Sequence, residues 1–160
     1  MSALGAPLTH HFDLYCYWHY KRGSRTMPAR RDLDPVDFAQ LWPCLMFVEK
    51  IEAQYHYRLI GSALTKQLGR DVTGTVVGSQ FSNAPEAIAA KRTVYDRVFD
   101  TARPALLSVE LGSSFSTTHN VLQLLLPLSD DKYGDFLSHR PLQPQRRGHQ
   151  RFEAPSGGGS

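Results

Sequence analysis

Histidines and an acidic side chain near the N-terminus are the first groups in this chain that could hold a metal. His10, His11, Asp13 and His19 lie close together in sequence. Two ligands share a helix face only when about three or four residues separate them. His10 and His11 are adjacent and diverge, and His11 and His19 are about two turns apart. No metal site is expected from them. The serines, histidines and carboxylates form no hydrolase signature, since neither Gly-x-Ser-x-Gly nor His-Glu-x-x-His occurs. No catalytic residues are assigned, and an enzyme is not expected. Gly69-Arg70-Asp71-Val72-Thr73-Gly74 lacks the Gly-Lys-Ser/Thr end of a phosphate loop. It reads as a structural turn: Gly69 ends a helix, Asp71 and Thr73 make local turn bonds, and Gly74 takes positive φ. Arg70 remains a candidate anion contact. Cys16 and Cys44 have no second cysteine close by for a metal knuckle or a disulfide scaffold, and both read as small buried apolar residues.

Charge excludes a basic binding face on the main body. The chain has 18 Lys+Arg and 15 Asp+Glu, a net charge of +3. Arg140, Arg146, Arg147, Arg151 and Glu153 account for that excess, and the 14 basic and 14 acidic residues up to position 137 cancel. The basic character belongs to a tail rich in Pro, Gln and Gly, read as disordered, so no specific nucleic-acid partner is expected. No apolar run approaches the roughly 18 residues needed to span a bilayer. Residues 1–8 have neither the basic start nor the apolar core of a secretory signal. The expected location is the cytoplasm, without a membrane partner.

These side chains need elements to position them. Thr9 can cap a helix to about Arg22, closed by Gly23. Phe12, Tyr15, Cys16 and His19 share one face of it, and Leu14, Tyr17 and Trp18 lie opposite. A helix apolar on both faces packs against two things. One would be its own sheet and the other a second copy, with Leu14, Tyr17 and Trp18 as the candidate dimer interface. Asp34-Pro35 starts a short helix that Pro43 stops. Residues 44–51 form a nearly continuous apolar strand, covered on both faces. Tyr55, Tyr57 and Leu59 alternate with polar residues in an antiparallel partner strand. A short helix 62–68 and a long helix 85–102 follow, then strands over 105–111 and 115–128 joined by Gly112-Ser113-Ser114. Hairpins with helices between them argue for an α+β domain with an antiparallel sheet.

The order and residues of these elements resemble the short PAS-type sensor proteins common in alphaproteobacteria. The likeness rests on Tyr17-Trp18, Pro28-Ala29-Arg30, Asp34-Pro35, Tyr57-Arg58-Leu59-Ile60-Gly61, the 69–74 turn, Arg103-Pro104 and Leu126-Pro127-Leu128. It covers about residues 14–131. It implies a five-stranded antiparallel sheet with helices over one face, and a role in sensing or signalling through a small molecule or a partner protein. Residues 1–26 would be an N-terminal helical extension, 27–139 the PAS-like domain and 140–160 the tail. Some PAS domains hold haem, but His56 sits on the polar side of its strand and His119 where a strand begins. Flavin photochemistry of the PAS type uses a cysteine in the helical middle, and neither Cys16 nor Cys44 lies there. No cofactor is assigned.

The chain departs from the family after Asp131. A central fifth strand is due there, yet only Phe136-Leu137 precedes polar residues and proline. The final strand is therefore expected to be truncated or missing: residues 133–139 either supply a short central strand or leave the sheet split. The candidate ligand pocket comprises Tyr57, Leu59, Leu64, Val94, Val98, Leu107, Val109, Leu122 and Leu124. The expected partners are a small-molecule ligand and either a second copy or a signalling protein. An adaptor with a filled core and no ligand is the alternative.

Overall fold

The computed structural model describes residues 5–79, 85–112, 118–129 and 135–139. Helix α1 spans Gly5–Arg22, starting before the position that the Thr9 cap predicts. A 3-10 helix at Arg30–Asp32 and a longer 3-10 segment at Pro35–Cys44 follow. Asp34 caps the second as its spacing to Pro35 predicts, its Oδ1 accepting from the Val36 N–H at 3.0 Å. Strands β1 (Leu45–Ile51) and β2 (Gln54–Ile60) form a hairpin. Helices α2 (Ser62–Leu68) and α3 (Pro85–Thr101) come next. Strands β3 (Ala105–Gly112), β4 (Thr118–Leu128) and β5 (Asp135–His139) complete the fold.

The five strands form one antiparallel sheet in the order β2-β1-β5-β4-β3. Of the two alternatives for the final strand, the short one is present and the missing one is not. β5 has five residues and lies between β1 and β4, with Phe47 opposite Leu137 on one side and Leu126 opposite Leu137 on the other. Its backbone groups join two neighbours that would otherwise leave ladder groups unpaired. The polar tail from residue 140 lies outside the described residues.

Apolar side chains cover both faces of the sheet, as the unbroken run in β1 requires. Leu45 and Phe47 point to the outer face, and Met46 and Val48 to the inner. On the outer face α1 and the Pro35–Cys44 segment contribute Leu14, Trp18, Phe38 and Leu41 against Leu124, Leu126 and Leu128. The Trp18 indole Nε1 donates to the Pro127 carbonyl at 2.7 Å. This corrects the expected dimer interface. Leu14 and Trp18 are buried against the chain's own sheet, and half-buried Tyr17 packs beside them and hydrogen-bonds to Asp34. The face of α1 turned to solvent carries Phe12, Tyr15, Cys16 and Tyr20 instead. Cys16 is exposed and Cys44 half-buried, so the expectation that both are buried fails. Cys16 falls on the helix face away from the sheet.

On the inner face α2 and α3 cover the sheet with Leu64, Tyr95 and Val98. Gly61 makes the sharp exit from β2, its N–H donating to the Leu45 carbonyl at 2.7 Å. A Cβ at this position would run into the Trp42 and Pro43 carbonyl oxygens. Gly69 closes α2 in the left-handed region at φ 75. The following turn folds along the outer edge of β2, where the Val77 N–H donates to the Tyr55 carbonyl at 2.7 Å and the Tyr57 N–H to the Thr75 carbonyl at 3.0 Å. That turn protects an edge that would otherwise present free backbone groups.

Candidate functional site

The inner face of the sheet brings together the residues with the most distinctive surroundings. Tyr55 and Tyr57 from β2, Met46 from β1, Leu64 from α2, Tyr95 and Val98 from α3 and Leu125 from β4 form one buried cluster. Tyr55 and Tyr95 meet edge to face, 5.2 Å between ring centroids, a favoured aromatic geometry. Gln123 also lies on this side, opposite Leu107 in the β3–β4 ladder and two residues from Leu125. Its side chain is 0% exposed, and Nε2 stands 3.8 Å from the Met46 Sδ.

The polar end of the cluster reaches α3. The Tyr55 hydroxyl donates to Asp96 Oδ1 at 2.6 Å, and Lys50 Nζ donates to the same oxygen at 3.3 Å. Burial is the main cause that pushes the Tyr55 phenol above its usual range, helped by the neighbouring Asp96 carboxylate. The Tyr55 hydrogen bond is the main cause that holds the Asp96 carboxyl below the usual carboxylate range, with Lys50 adding to it. The two directions describe one stable arrangement, a neutral phenol donating to an ionised carboxylate.

Five of the nine predicted pocket residues lie on this face. Tyr57, Leu64 and Val98 are buried in the cluster, and Val94 and Leu107 pack against it. Leu59 and Leu124 are corrections, because both belong to the outer cluster. β2 carries a bulge: Phe47 pairs with Leu59 but Val48 pairs with Tyr57, leaving Arg58 as the extra residue. One inserted residue reverses the side-chain alternation beyond it. Leu124 shares the even-numbered face of β4 with Leu126 and Leu128, and the inward residues are Val121, Gln123 and Leu125. Leu122 is a correction too, 38% exposed near the end of that outer row. The Val109 side chain lies outside the described residues. Arg70 is exposed at the end of α2 and away from the cluster, while Asp71 accepts from the Thr73 N–H at 2.9 Å as the turn reading expects. Gln123 and Tyr95 were missed. Gln123 is a polar residue at an inward position of an apolar strand, and that was the available signal.

Among the described residues no group of three or more His, Cys, Asp or Glu side chains is placed to hold a metal. His11 is buried and His10 and His19 are exposed, so the helix does separate them. His56 is half-buried, and the His119 side chain lies outside the described residues. What the inner face offers chemically is an apolar and aromatic surface, one carboxamide and tyrosine hydroxyls.

The sequence profile of the PAS domain matches residues 8–137, most of the chain. The chain belongs to the PAS domain family. Among solved structures it is similar to the PAS domain from Bordetella pertussis BvgS, with a TM-score of 0.51 at 13% identity. That likeness covers 71% of this chain and 90% of the other, and it concerns the fold. No curated protein matches the chain. As a PAS domain it is of a sensory or signalling class, and the inner face described above is the PAS sheet face overlaid by α2 and α3. No helix among the described residues is long and apolar enough to cross a membrane.

Proposed function

We propose that this PAS domain is a non-catalytic cytoplasmic sensor that holds a small, mainly apolar or aromatic molecule on its inner face, beneath α3. One observation carries the reading: Gln123, a fully buried carboxamide in a face otherwise built of Met, Leu, Val and Tyr side chains. Ligand sites are typically apolar surfaces with a few placed polar groups that fix orientation. A carboxamide can donate to and accept from a ligand, which suits an uncharged molecule with a carbonyl, hydroxyl or ring nitrogen. Val98 lies on α3 at the same face, so a larger side chain there would occupy the ligand's volume.

Native mass spectrometry of the protein purified from its own cells tests this. The expected result is an added mass that is released on denaturation and absent from Val98→Trp protein that remains folded. An unadorned chain mass from the native protein, or an adduct retained by Val98→Trp, would count against the inner face.

A second reading has its own observation. The residues of the inner cluster are buried, and Phe12 and Tyr20 on α1 are 65% and 80% exposed. A domain with a filled interior would then act as an adaptor, binding a signalling partner or a second copy through that aromatic face.

A further inference from the structure

Tyr55 has two ends in two environments. Its ring lies in the inner cluster beside Tyr95, and its hydroxyl leaves that cluster to donate to Asp96 at 2.6 Å. Asp96 is a hub on α3. Lys50 Nζ from β1 reaches the same Oδ1 at 3.3 Å, and Arg92 Nε stands 4.0 Å from Oδ2. Arg92 also donates from Nη2 to the Ala53 carbonyl at 2.7 Å. Ala53 is in the β1–β2 turn, where Glu52 is held at φ 54, a left-handed conformation uncommon for a residue with a side chain. Lys50 Nζ lies 4.4 Å above the centre of the Phe99 ring. Lys50, Ala53 and Tyr55 of the hairpin are thus tied to Arg92, Asp96 and Phe99 of α3 through one carboxylate and its neighbours.

We infer that Asp96 is a latch coupling the inner face to the surface of the domain. A phenol ring and its hydroxyl move as one rigid body, so a shift of the ring inside is a shift of the hydroxyl outside. A contact of 2.6 Å is lost as a hydrogen bond after a displacement of about 1 Å. Hydrogen bonds to an ionised acceptor are among the strong ones, and the ion pairs left behind are partly exposed and hold weakly. Release of Tyr55 therefore loosens α3 and the β1–β2 turn together. This deepens the proposed function, since it is the route by which a molecule beside Tyr95 would be felt outside. It is nonetheless a property of the ligand-free protein, so its failure and that of the ligand proposal are separate results.

Amide-resolved hydrogen exchange on the ligand-free protein tests the latch, using Tyr55→Phe, Asp96→Asn and the double variant. Each single change is expected to speed exchange about tenfold in α3 and in residues 50–55, with β4 and α1 unchanged, as expected for losing one charge-assisted bond. The double variant should fall short of the sum of the two singles, because both changes weaken the same Tyr55–Asp96 contact while Asp96→Asn also removes the charge that Lys50 and Arg92 pair with. Acceleration confined to one of the two elements, additive effects, or loss of protection across the whole sheet would each overturn the latch. Tyr55→Phe keeps the ring and decides the matter alone if Asp96→Asn does not fold.

Discussion

Trp18 shows how one side chain fixes an element. Its ring is 3% exposed beneath α1, and its N–H satisfies the Pro127 carbonyl at 2.7 Å across 109 residues of sequence. Phenylalanine would keep most of the apolar contact and leave that buried carbonyl without its donor. Trp18→Phe is expected to lower the unfolding free energy by about 1–3 kcal/mol, measured by urea denaturation with an unchanged m-value. A loss below about half a kcal/mol would mean the bond contributes nothing net. Helical spacing correctly separated two faces of α1, but it could not say which face meets the sheet. Both carry aromatic residues, and the choice is made by Pro127, a partner distant in sequence. Leu59 failed for a similar reason. The extra residue Arg58 shows only in the pairing with β1, and nothing in Tyr57-Arg58-Leu59 marks it. Gln123 was missed because the Leu122–Leu124–Leu126–Leu128 alternation was assigned to the pocket face, which turned Gln123 away from it, whereas the structure reverses the two faces.

At the scale of elements, the short strand β5 decides whether there is one sheet or two. Its five residues pair with Leu45–Glu49 of β1 and Leu124–Leu128 of β4. The sequence after Asp131 shows so little apolar patterning because the strand needs only enough residues to span those neighbours. Its central position gives it two ladders, so backbone bonding does the work that side-chain alternation usually advertises. A proline in a central strand removes a ladder donor and has no place there. Leu137→Pro is therefore expected to cost at least about 3 kcal/mol and to give a broad or absent thermal transition by circular dichroism. A cooperative transition within a few degrees of the native one would show that the first and fourth strands are held together without β5. Local signals were legible where they held, at Asp34 before Pro35, Gly69 after Leu68 and the Tyr55–Tyr57 alternation ahead of the bulge, but the Pro35–Cys44 segment runs through Pro43, which was expected to stop it, and α1 starts before the expected Thr9 cap.

Across the whole molecule the sheet divides two tasks. The outer face is filled by α1 and the Pro35–Cys44 segment, which makes the N-terminal helix part of the core. The inner face, under α2 and α3, keeps Gln123 and the tyrosines together and connects them to Asp96. The claim that ligands are sensed at this inner face is tested most directly by a single NMR titration. Side-chain amide and methyl resonances would be followed while small apolar and aromatic fragments are added to the protein. At least one fragment is expected to shift the Gln123 side-chain amide together with the Val98 and Leu125 methyl groups, in a saturable way. Saturable shifts confined to groups around Phe12, Tyr15 and Tyr20, with Gln123 and Val98 unmoved, would contradict it.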